Sequence, residues 1–74
     1  MAKQQVETEM GGTVVKIECA EGGWLAEGDV ILVVEAMKME MPVAMPVAAR
    51  VVKLLVAIGD TVTEAQPVAT IETA

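Results

Sequence analysis

Set 37 positions apart, residues 12–35 fall on residues 49–72 and agree at seven of twenty-four places: Val14, Val15, Lys16, Ala20, Gly22, Glu27 and Glu35 meet Val51, Val52, Lys53, Ala57, Gly59, Glu64 and Glu72. The apolar positions follow the same offset: Ile17 with Leu54, Cys19 with Val56, Leu25 with Val62, Ile31 with Val68, and Val34 with Ile71. Identity and pattern agree, as in an internal repeat. In each copy, "VVKIECAEGGWLAEGDVILVVE" and "VVKLLVAIGDTVTEAQPVATIE", short apolar runs are cut by Gly-Gly or Gly-Asp and then by Glu-Gly or Glu-Ala, the punctuation of strands and turns. No segment sustains a helical period. Two such units, each with one apolar face, bury those faces against each other as an all-β sandwich about an approximate two-fold axis.

The alternation is imperfect. Val14 to Ile17 and Ile31 to Val34 are spaced by three, so both members face the core only if the strand is bulged or strongly twisted there. The chain of 74 residues divides into a flexible N-terminal segment, 1–9, and one domain, 10–74, whose repeats 12–35 and 49–72 are joined by a hairpin, 36–48. With 54% hydrophobic residues and Trp24 as the only aromatic, β-branched aliphatic packing has to supply most of the stability.

Eleven acids against five bases give a formal charge of −6, and there is no basic patch to displace counterions from phosphate, which argues against nucleic-acid binding. The acids read as a solvated surface. Cys19 has no second cysteine to pair with, and with no histidine in the chain a structural zinc site is excluded; Cys19 reads as a small core residue. No apolar run is long enough to span a membrane, and none resembles a secretory leader, so the expected location is the cytoplasm.

The joining segment carries "EAMKMEMP", 35–42, and all of Glu35 to Glu40 are good helix formers by propensity. Yet a strand-like Val30–Val34 runs into it and Pro42 closes it. As a two-residue hairpin, Met37 and Lys38 are central, Ala36 faces Met39, Glu35 faces Glu40 and Val34 faces Met41. Such turns ask for φ > 0 and hence Asn or Gly, which Met-Lys is not, a hint that something outside the fold selects these residues. The alternative is a plain surface hairpin with a solvated lysine. Exposed thioethers at 37 and 39 are adaptable contact groups, although Met39 could instead pack onto the domain. The repeated "MPVAMPVA", 41–48, is restricted by Pro42 and Pro46 to an edge or an irregular extended path.

"EAMKM" at 35–39, with "GGTVVKIECAEGGWLAEGDVILVV" before it and "MPVAARVVKLLVAIGDTVTEAQPVATIE" after it, resembles the biotinyl (biotin carboxyl carrier) domain of the biotin/lipoyl attachment family, over roughly residues 10–72. The resemblance implies a barrel-sandwich of two four-stranded antiparallel sheets. It implies biotin joined covalently to Lys38, with Glu35, Ala36, Met37 and Met39 flanking it. It implies a non-catalytic carrier, monomeric when isolated, served by a biotin protein ligase, a biotin carboxylase and a carboxyltransferase. Gly12, Gly22, Gly28 and Gly59 would be turn residues. The family commonly has glycine where Ala49 and Ala65 stand, aspartate at Gly23 and proline near Glu9; alanine at a position needing φ > 0 would be strained by about 1 kcal/mol. Two other readings remain: a lipoyl acyl carrier of the same fold, against which the absent Asp-Lys-Ala tip speaks, and an unmodified binding module docking through its apolar tip.

Overall fold

The computed structural model describes residues 2–74, and within them every regular element is a strand. In chain order these are β1 (Lys3–Glu7), β2 (Gly12–Ile17), β3 (Trp24–Leu25), β4 (Val30–Ala36), β5 (Met39–Ala44), β6 (Ala49–Leu54), β7 (Thr61–Val62) and β8 (Pro67–Glu72). They form two four-stranded antiparallel sheets, ordered β1-β8-β6-β3 and β5-β4-β2-β7. Val14, Ile31, Leu32, Val34, Ala49, Val51, Val68, Ala69 and Ile71 are fully buried, so the two inner faces close on each other as the duplicated valine-rich runs require.

The 37-residue offset holds at the level of single hydrogen bonds. Gly22 N–H donates to Val51 C=O at 2.7 Å, and Gly59 N–H to Val14 C=O at 2.8 Å. The offset also reaches beyond the repeat seen in sequence. Glu35 faces Glu40 across β4 and β5, and the residues displaced by 37, Glu72 and Lys3, face each other across β8 and β1. The segment 1–9 expected to be flexible therefore supplies an edge strand: Val6, buried against Ala69, is the counterpart of Val43 beside Leu32. Lysine and glutamine in "KQQVE" hide that strand, because an edge strand buries little and so keeps a polar composition. Met1 lies outside the described residues.

Bulges explain the spacing of three. The β2–β4 register slips between Val14 and Lys16, and the β6–β8 register slips at the equivalent place, between Val51 and Lys53. The extra residue turns the strand so that Ile17 and Leu54 pack against the core on the same side as Val14 and Val51.

Four β-turns share one design. In 20–23, 26–29, 57–60 and 63–66 the last residue's N–H bonds to the first residue's C=O at 3.0–3.1 Å, and the third residue has φ between 65° and 95°, as in type II. Glycine fills that third place at 22, 28 and 59, while Ala65 occupies it at φ 65° with the strain that a Cβ brings there. In three turns the fourth side chain closes back on the first N–H, each at 2.9 Å: Asp29 Oδ2 on Ala26, Asp60 Oδ2 on Ala57, Gln66 Oε1 on Thr63. Gly23 has no side chain with which to do so. Ala49 needs no glycine, being a buried β6 residue outside the left-handed region. Gly12 is not a turn residue either. It opens β2, where a Cβ would stand 2.2 Å from the carbonyl oxygen of Glu35, so close backbone approach requires glycine.

Three substitutions test this account by urea unfolding. Ala65→Gly should stabilise by about 0.5–1 kcal/mol through release of strain. Gly23→Asp should gain about 0.5–1 kcal/mol from the missing hydrogen bond. Gly12→Ala should cost more than about 2 kcal/mol, because the clash is with backbone.

Candidate functional site

β4 and β5 are locked together well before the chain turns. Val34 faces Met41 and Leu32 faces Val43, with Val34 and Leu32 fully buried, so the register cannot slip without lifting the core face of β4 to solvent. Glu35 then faces Glu40, Ala36 faces Met39, and Met37 and Lys38 alone remain to reverse the chain. Their φ values are 52° and 65°, the left-handed pair of a type I′ turn. Two residues with full side chains thus hold a conformation suited to Asn-Gly. The expected pairings all appear, and the helix suggested by propensity does not.

The turn sits at one pole of the molecule, whose longest extent is 36 Å. Leu25 of β3 faces Ala49 in the part of the sheet where β8 runs out toward the C-terminus, and the turn 26–29 carries the chain from there to Val30, the end of β4 farthest from Met37. The described N-terminal residue, Ala2, and Thr73 therefore meet at the opposite pole, where Thr73 N–H donates to Ala2 C=O at 2.9 Å. Lys38 and the Ala2–Thr73 contact thus lie at opposite poles.

Lys38 is exposed and makes no hydrogen bond or ion pair among the described residues. Met37 is 87% exposed and Met39 61%, so Met39 does not pack down onto the domain. Glu35 and Glu40 are exposed and directly opposed, a like-charge pair that costs stability in a strand ladder. At the other pole the equivalent pair is Glu72 with Lys3, and Arg50 Nη2 also reaches Glu72 Oε1 at 2.9 Å. Opposite charges are matched where the chain ends and left unmatched beside the lysine. The like-charge contact was legible in the hairpin register; the complementary ladder was not, because β1 was unseen.

Other sequence candidates lie elsewhere. Cys19 is half-buried against the core, and burial raises its thiol pKa, so it is a packing group with a weakened nucleophile. Pro42 lies on the edge strand β5, as its missing donor demands, and Pro46 lies in the following connection. Among the described residues no cluster of His, Cys, Asp or Glu is arranged to hold a metal ion.

The residues offer an amine that can form an amide with a carboxyl group. A primary amine stands free at a pole, on a turn held rigid by the ladder beneath it, with apolar thioethers on either side. Residues 4–71 match the family model described as "Biotin-requiring enzyme". The chain belongs to the biotin/lipoyl attachment family. It is 37% identical over 59 residues to the biotinylated protein TB7.3 homolog of Mycobacterium leprae, covering 80% of this chain and 83% of that one. It is 40% identical over 67 residues to the biotin-dependent acyl-coenzyme A carboxylase alpha3 subunit of the same organism, spanning 90% of this chain and 11% of the relative. Pyruvate carboxylase of Aspergillus niger is 45% identical over 58 residues, 78% of this chain and 5% of the enzyme. Among solved structures, a single-chain, multi-domain long-chain acyl-CoA carboxylase superposes with a TM-score of 0.91 at 32% identity, over 97% of this chain and 7% of that one. Urea carboxylase of Kluyveromyces lactis superposes with the same score and identity, over 97% of this chain and 6% of that one. The attachment fold is therefore shared with small domains inside much larger carboxylases.

The strain in the turn is testable apart from any modification. Met37→Asn and Lys38→Gly should each raise stability by about 0.5–1 kcal/mol in urea unfolding, since both replacements relieve a left-handed backbone. The second also removes the amine.

Proposed function

We propose that the chain is a biotin carboxyl carrier in which Lys38 is the attachment residue. The observation that carries this reading is Lys38 as the second central residue of a left-handed two-residue turn, inside Glu35-Ala36-Met37-Lys38-Met39 and at the pole remote from the chain ends. Membership of the family supports it. So does the unusual residue choice in the turn, where stability alone favours Asn-Gly.

Acylation of Lys38 by a biotin protein ligase would form an amide between Nζ and an ATP-activated biotin carboxyl carbon. AMP leaves with the departing oxygen, and the lysine's surplus protons pass to solvent. The charge at Nζ is lost, and the formal total moves from −6 to −7. The chemistry biotin supplies when bound is carriage of a carboxyl group on a ureido nitrogen.

The residues of this chain contribute presentation. The β4–β5 ladder fixes where the arm begins, and the lysine stem gives it reach. Met37 and Met39 offer polarizable surfaces that can adapt to more than one partner. Glu35 and Glu40, unmatched in the free chain, suit partner surfaces with basic groups. We assign as partners the ligase, a biotin carboxylase that uses ATP and bicarbonate, and a carboxyltransferase that passes the carboxyl group to an acceptor. The chain itself acts without catalysis, as a cytoplasmic monomer, with no role in binding nucleic acid or membrane.

Intact mass spectrometry after co-expression with a biotin ligase tests the reading. One biotinyl increment is expected, and it should vanish in Lys38→Arg while the fold is unchanged by circular dichroism. A lipoyl increment on Lys38 would instead mark an acyl carrier, and no increment under either ligase would mark a binding module that docks through its apolar tip.

A further inference from the structure

The segment that leads from the end of β1 toward β2 lies across from β5 and the connection that follows it. A groove of about 360 Å³ opens there, lined by Glu7–Met10 on one bank and Met41–Pro46 on the other. That volume is at the low end of the roughly 300–1,000 Å³ typical of small-ligand sites.

The groove lies near the pseudo-two-fold axis, since Thr8 and Met45 are 37 residues apart and both buried, yet its lining is not symmetric. Met41, Pro42, Val43 and Met10 line it, while their counterparts Gln4, Gln5, Val6 and Val47 do not. The opening is thus displaced toward the pole that carries Lys38. An apolar track leads into it. Met41 pairs with buried Val34 and Val43 with buried Leu32, and the alternation places Met39, the first residue after the turn, on that same face of β5.

We propose that this groove is a resting dock for the bicyclic head of a biotinyl group on Lys38. The proposal rests on Lys38 being the attachment residue. An extended biotinyl-lysine arm spans about eleven bonds from Cα to the ring system, or about 14 Å. At a strand rise of about 3.3 Å, Met41 stands about 10 Å from residue 38 and Val43 about 17 Å, so the head reaches the mouth of the groove between them. The thioethers of Met10 and Met41 would cover the apolar ring faces. The exposed carboxylates of Glu7 and Glu9 line the opposite bank, and they would accept hydrogen bonds from the ureido N–H groups. The head is uncharged and its two ureido N–H donors suit these carboxylates, while its carbonyl stays toward solvent.

The test uses the biotinylated chain, with loading established by intact mass, and NMR with labelled methionine methyl groups. Nuclear Overhauser contacts from the ring protons of the head to the Met10 and Met41 methyls are expected, together with slowed exchange of the ureido N–H groups. Contacts confined to Met37 and Met39, or none, would overturn the dock and leave the attachment reading standing. Absence of the biotinyl increment would overturn both. In Met10→Gln, a change at an exposed position, the contacts should disappear and capture by streptavidin should accelerate at least about twofold, as expected if the head is docked half of the time or more. Unchanged capture would contradict the dock. In a Glu7→Ala, Glu9→Ala chain the ureido exchange should return to the rate of free biotin, and retained slowing would remove these acids from the account.

Discussion

Two residues are held in a conformation they disfavour because the ladder beneath them cannot move. Val34 and Leu32 are buried between the sheets, and their partners Met41 and Val43 follow from their register. A slip of one residue would turn the whole apolar set of β4 outward, at a cost of several buried aliphatic side chains at about 1.5–3 kcal/mol each. Against that, the strain of φ 52° at Met37 and φ 65° at Lys38 is small, on the order of 1 kcal/mol per residue. The core therefore decides the turn, and the turn's sequence is left free for another purpose.

The same core supports two copies of one unit, and the copies diverge where an attachment site would need them to. At one pole Thr73 pairs with Ala2, and beside them Glu72 lies opposite Lys3 and is bridged by Arg50. At the other pole the chain is continuous, Glu35 opposes Glu40, and both thioethers stand in solvent. Stability alone would favour the first arrangement at both ends. The second carries uncompensated charge, exposed apolar surface and left-handed backbone together, the kind of local inconsistency that marks a site under outside selection.

Much of this was legible in the residues. The offset of 37, visible as Val14-Val15-Lys16 against Val51-Val52-Lys53, already implies the sandwich, and Pro42 with the strand-like Val30–Val34 already defeats the helix that "EAMKME" favours by propensity. The pairing of Ala36 with Met39 follows from those two facts. Three features were hidden, each for a physical reason. β1 is a polar edge strand whose only buried member is Val6, so no alternation announces it. Gly12 looks like a turn glycine, yet its role is to let the backbone pass beside Glu35, a contact between residues distant in sequence. The groove is lined by residues 7–10 and 41–46, two segments distant in sequence, so no local pattern announces it.

The central proposal is that Lys38, held out on its turn by the folded ladder beneath it, is the biotin attachment residue. The most direct measurement compares initial rates of biotinylation, by one ligase at equal concentration, of the folded chain and of a linear peptide spanning residues 34–41. Fixing a flexible backbone costs about 1–2 kcal/mol per residue, so ordering Met37 and Lys38 alone predicts a peptide slower by at least about thirtyfold. Equal rates, or labelling of the folded chain at Lys3, Lys16 or Lys53 in place of Lys38, would contradict the account.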